Sequence, residues 1–156
     1  MTAVRQIPVP PNARALSMLA RVDYADAFLA DVGSPGDRTA EAWARTVLED
    51  SPPRVRTSLL SGWSMIGLKV GRVPAGRSVL GWEIRRSTPD FVLLGAGSRI
   101  GMPGELLFKR EPDALLFDTF VQHGNLVARA VWASIQATHV RIVRDLLERA
   151  SQRLAR

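Results

Sequence analysis

The chain has 156 residues, 46% hydrophobic and 23% charged, with 21 basic against 15 acidic side chains and a net charge of +6. That length suits one domain, able to bury about two-thirds of its unfolded surface. The lack of cysteine excludes disulfides, thiolate metal sites and thiol nucleophiles. No apolar run approaches the ~20 residues of a bilayer span, and the opening MTAVRQIPVPPNAR has no apolar h-region, so a cytoplasmic location with no membrane span is expected. The positive charge is carried by 19 arginines and two lysines scattered from Arg5 to Arg156 and interleaved with acids. Spread charge with few aromatics reads as solvated surface, so nucleic acid is not an expected partner.

The first stretch, residues 1–12 with its PVPPN, reads as an extended lead-in, because paired prolines cannot enter a helix interior. Within 14–31 the pattern loosely alternates: Tyr24, Asp26 and Phe28 share one parity, and Ala25, Ala27 and Leu29 the other. This predicts a first strand, with a helix open for part of the stretch. GSPGD, Gly33–Asp37, is a turn cluster. TAEAWARTVLED predicts a short helix capped by Thr39, with Glu41 favourable at its N-terminal dipole. SPPRVRTSLLSGWSMIGL predicts a second, capped by Ser51, started by Pro52 and Pro53, and apolar at Val55, Leu59, Trp63 and Ile66. Gly62 and Gly67 are expected to limit it.

After Val70 the period changes. VLGWEIRRS sets Leu80, Trp82 and Ile84 on one face against Glu83 and Arg85 on the other, a half-buried strand. DFVLLGAG, ELLFKR and ALLFDTFVQHG follow, separated by the turns STPD, SRIGMPG and EPD. Such spacing predicts an antiparallel meander. A single helix over about 125–154 closes the chain. Strands grouped apart from helices define an α+β class, a curved antiparallel sheet with the long helix across one face and water on the other.

This order resembles the START-type helix-grip superfamily, which includes the birch-pollen allergen, polyketide cyclases and lipid-transfer domains. The resemblance covers nearly the whole chain. It rests on the paired short helices at 39–66, the meander at 79–123, and VARAVWASIQATHVRIVRDLLERA, which looks like the closing helix of bacterial members. Five or six strands are legible, against seven in larger members. The resemblance implies a hydrophobic cavity between helix and sheet. Some members bind ligands there, some cyclise or dehydrate polyketides, and some act on other proteins.

At about 100° per residue, Ala128, Val131, Trp132, Ile135, Ile142, Val143 and Leu146 form one stripe of the last helix, and His139 falls near its middle. A buried imidazole left unpaired costs about 1–3 kcal/mol, so His139 requires a partner. Asp118, Thr119, a carbonyl, water or a ligand are the candidates. Three readings stay open: a satisfied core histidine, a pocket histidine that orients or protonates a ligand, and a metal ligand. The last is disfavoured by the presence of only two histidines, without His-x-x-x-His spacing. Asp118 becomes a possible acid if its parity faces inward, because burial raises a carboxyl pKa. Both parities of that strand carry apolar residues, so the sequence leaves the choice open.

Tryptophans 43, 63, 82 and 132 each sit on the apolar face of a different element, as core or as cavity wall. The glycine-rich turns lack the lysine and following helix of a phosphate loop, and no serine lies in a GxSxG context. The expected function is binding of a hydrophobic or amphipathic small molecule, with Trp63, Trp82, Phe108, Phe117, Trp132, Ile135 and Ile142 as walls and His139 as polar anchor. No cofactor or metal is called for, and a homodimer is open. The rival is a polyketide cyclase- or dehydratase-like enzyme in which His139, with Asp118, moves protons. A protein-interaction module with a filled core is the third reading.

Overall fold

A computed structural model describes residues 4–32 and 36–154; the start of the predicted GSPGD turn and the extreme ends of the chain lie outside the described residues. The fold is α+β. Strand β1 (Val4–Ile7) and a single-turn helix α1 (Pro11–Arg14) lead into β2 (Tyr24–Ala30), helices α2 (Ala40–Leu48) and α3 (Pro53–Met65), and then β3 (Ser78–Val79), β4 (Trp82–Ser87), β5 (Phe91–Ala96), β6 (Gly104–Arg110) and β7 (Leu115–Val121). Helix α4, Leu126–Leu154, ends the described chain. The strands make one curved antiparallel sheet in the order β1-β2-β7-β6-β5-β4-β3. The meander β4–β7 is sequential, and the N-terminal hairpin β1–β2 adds beside β7. The lead-in is thus itself a strand. Its Val4–Ile7 pair with Ala30–Ala27, and the single strand expected for VLGWEIRRS is broken by a turn at Leu80 and Gly81 into β3 and β4, so the sheet has seven strands where five or six were legible in sequence.

The short helices start as their chemistry requires, with one exception. Thr39 Oγ1 accepts the Ala42 N–H at 3.1 Å, capping α2. Ser51 does not cap α3. Its hydroxyl donates back to the Val47 carbonyl at 2.9 Å, and Pro52 holds the cap position with no side-chain bond. Gly62 lies inside α3. The turn that ends the helix carries Gly67 at φ +89°, a left-handed conformation that glycine adopts without strain.

Side-chain alternation sorts the sheet into two faces. The inner face carries Phe28, Val92, Leu94, Leu106, Phe108, Leu115 and Phe117, packed with Trp43, Val47 and Leu48 of α2 and Val143, Leu146 and Leu147 of α4. Fully burying one such side chain stabilises the fold by about 1.5–3 kcal/mol. The outer face is not left to water. Ala27, Leu93, Leu107, Leu116 and Phe120 are buried beneath Ala13, Leu16, Leu19 and Val22 of the segment before β2. Glu105, 0% exposed, ties that segment down, accepting the Ser17 hydroxyl at 2.5 Å and the Met18 N–H at 2.9 Å. The runs that were apolar on both parities therefore reflect a sheet covered on both sides. No described helix is long and apolar enough to cross a membrane.

Candidate functional site

Helix α4 has fully buried residues only towards its two ends, while Ile135 and Val140 between them are half-buried against the core. Ala128 and Trp132 are buried near its start, and Val143, Leu146, Leu147, Ala150 and Ser151 near its finish; none of the ten residues between Trp132 and Val143 is buried. Helix α3 behaves alike, with Leu59 its one buried residue. Apolar stripes that match in sequence but stand off the sheet leave room beneath them. That room is a cavity of about 850 Å3 between α3, α4 and the inner face of β4, β6 and β7.

Trp63, Trp82, Trp132, Ile135, His139 and Ile142 all line it. Trp63 and Trp82 meet edge to face, ring centroids 5.4 Å apart, and form one aromatic wall. Trp82 lies over Gly104, its indole 3.6 Å from where a Cβ would stand, an ordinary van der Waals distance. Ile142 is 42% exposed at the mouth, beside Arg54, Arg141, Arg144, Asp145 and Glu148. The walls are apolar and the rim mixed in charge, the usual character of a small-molecule site.

Two predicted wall residues are elsewhere. Phe108 and Phe117 pack against each other, centroids 4.7 Å apart, within the closed core under α2 and the C-terminal half of α4. They have the inward parity, but that part of the sheet is covered by α2. Asp118 is also displaced from its expected role. Its cross-strand neighbours are Ala27 and Leu107, so it faces outward, away from the cavity. It is 0% exposed and neither carboxyl oxygen has a hydrogen-bond partner. Burial first, then the nearby charges of Asp26 and Glu111, push its pKa up to about 7 against the pull of Lys109.

The partner of His139 is Asp26. Nε2 of the imidazole lies 3.1 Å from Asp26 Oδ2, and the same oxygen accepts the Tyr24 hydroxyl at 2.6 Å. The Asp26 side chain is only 2% exposed, whereas that of His139 is 17% exposed and faces the cavity. Rings clamp the imidazole: the Trp132 centroid is 5.0 Å away, that of Tyr24 6.3 Å, and those two are 4.9 Å apart. Burial, followed by the bond to Asp26 and its charge, holds the Tyr24 phenol well above its ordinary pKa, so it stays a donor. Thr119, opposite Asp26 on β7, lines the cavity but has its hydroxyl buried and unpartnered.

Sequence reasoning sought the partner of His139 on β7 and missed Asp26 and Tyr24. The available signal was their parity: Tyr24 and Asp26 alternate with Phe28, a buried inner-face residue. An aspartate on an inward parity needs a donor, and a histidine on an apolar stripe needs an acceptor. Among the described residues no group of three His, Asp or Glu side chains could hold a metal ion. The chain matches no family model, no curated protein and no solved structure.

Proposed function

We propose that this protein binds a hydrophobic or amphipathic small molecule between α4 and the sheet, and that it is a relative of the START-type helix-grip proteins. The cavity of about 850 Å3 under the unburied middle of α4 carries the reading. Protein interiors close to crystal-like density, so open, apolar volume of this size is not a packing residue of folding. An interaction module with a filled core has correspondingly less support. The element order and the helix laid across an antiparallel sheet support the kinship.

The rival reading, an acid–base enzyme of cyclase or dehydratase type, gains one observation and loses another. The Asp26–His139 pair orients an imidazole at the cavity wall, as a general base requires. Asp118, the expected second group, faces the other side of the sheet.

The test is native mass spectrometry of the purified protein beside its Ile135→Trp variant, which fills the cavity. A retained apolar molecule, lost in the variant while stability changes by less than about 1 kcal/mol, supports the pocket. Destabilisation of about 1–3 kcal/mol, the cost of overpacking a tight core, with no retained molecule, refutes it.

A further inference from the structure

We infer that the occupant of this cavity is a neutral, largely apolar molecule carrying a hydroxyl group, and that the hydroxyl donates its hydrogen bond to Nδ1 of His139. This rests on the pocket reading above and adds the chemistry of the ligand's polar end.

An ionised carboxyl group only accepts, so the 3.1 Å contact between Nε2 and Asp26 Oδ2 places the imidazole proton on Nε2. In the neutral ring the lone pair then belongs to Nδ1. Among the described residues Nδ1 has no hydrogen-bond partner, and it is not among the buried atoms left without one. It is therefore accessible, on a residue that lines the cavity. The tilted Trp132 ring, the edge-on Tyr24 ring and the Asp26 bond hold the imidazole in place, so the lone pair has a set direction. An occupant that displaced water from Nδ1 without replacing its hydrogen bond would pay for desolvating an acceptor. The matching group is a donor.

Charge narrows the class. Asp26 lies directly behind the imidazole, buried and with Oδ1 unpartnered. A ligand carboxylate at Nδ1 would face a ring with no proton there and a negative group behind it. A hydroxyl meets neither penalty. The remainder of the molecule must suit the indoles of Trp63, Trp82 and Trp132 and the side chain of Ile135, which suits an aromatic or alicyclic body.

Three probes with one ring system test this by quenching of tryptophan fluorescence: 2-naphthol, 2-methoxynaphthalene and 2-naphthoate. By apolar area alone the methyl ether binds at least as well as the naphthol. A hydroxyl donating to Nδ1 reverses that order, naphthol binding about tenfold more tightly than the ether and more tightly than the naphthoate. In His139→Phe the preference for naphthol over ether disappears while the ether still binds. Equal binding of naphthol and ether, tighter naphthoate, or a preference that survives His139→Phe overturns the hydroxyl assignment and leaves the pocket standing. Failure of all three to bind overturns both. Long-range 15N spectra of the unmodified protein supply the check that needs no variant. His139 should carry its proton on Nε2, and its Nδ1 resonance should shift with naphthol but not with the ether. A proton found on Nδ1 refutes the inference.

Discussion

Asp26 and His139, 113 positions apart, meet at 3.1 Å across the gap between β2 and α4, and Tyr24 shares the same carboxyl oxygen at 2.6 Å. One acceptor thus serves two donors from opposite walls. Asp26→Ala leaves both donors without it and is expected to destabilise the protein by about 2–4 kcal/mol. Tyr24→Phe, which removes one donor, should cost about 1 kcal/mol. In the double variant the phenol has no carboxyl left to lose, so the two costs will fall short of additivity by more than about 0.5 kcal/mol. Urea unfolding of the three variants measures this, and strict additivity would show that the shared oxygen carries no coupling.

Asp118 makes stability depend on pH in a defined direction. Its carboxyl pKa is about 7 in the folded protein against an ordinary 3.8, so between those values the folded state holds the proton more firmly than the unfolded state. Its contribution to stability therefore falls as pH rises through that window and reaches its full penalty above about 7. Asp118→Asn, which cannot ionise, should be more stable than the parent by about 2–4 kcal/mol at pH 8 and indistinguishable from it at pH 4. Thermal melts across the range compare the two chains, and a difference independent of pH would sink the assignment.

Glu105 holds the outer layer by its bonds to Ser17 and Met18. Glu105→Ala should loosen the segment that covers Leu93, Leu107 and Phe120, at a cost of about 2–3 kcal/mol. Hydrogen exchange will show faster exchange at Ala13–Ser17, whose amides bond within the segment, than at β6 and β7. Uniform acceleration would mean that the layer is not a separate unit.

Gly124 joins β7 to α4 by donating its N–H to the Gly101 carbonyl at 2.7 Å. A Cβ at this position would lie 2.8 Å from that same oxygen, and Gly101 is itself held at φ +81°. Backbone on both sides cannot yield as a side-chain tip does. Gly124→Ala should cost about 1–3 kcal/mol, a fall in Tm of roughly 2–4 °C per kcal/mol. An unchanged Tm would show that the junction can open without loss.

Much of this protein follows from its sequence by itself. Period and punctuation placed α2, α3, the meander and α4 close to their observed positions, because a 3.6-residue stripe and a two-residue alternation are local properties. Thr39 announced its own cap. The stripe on α4 also put His139 on the side of the sheet. Other features are decided by residues far apart in the chain. Val4–Ile7 form a strand because β2 offers them an edge. Phe108 and Phe117 leave the list of cavity walls because α2 covers them, and Asp118 turns outward because its register with Ala27 and Leu107 sets its parity. The stripe on α4 looks continuous in sequence, yet its middle stays unburied. Periodicity tells which way a side chain points, and only the distance between helix and sheet tells whether anything is there to meet it. That distance is set by Trp132 at one end of the helix and Val143 to Ala150 at the other, and it is what leaves His139 bonded to Asp26 through one nitrogen at the wall of the cavity.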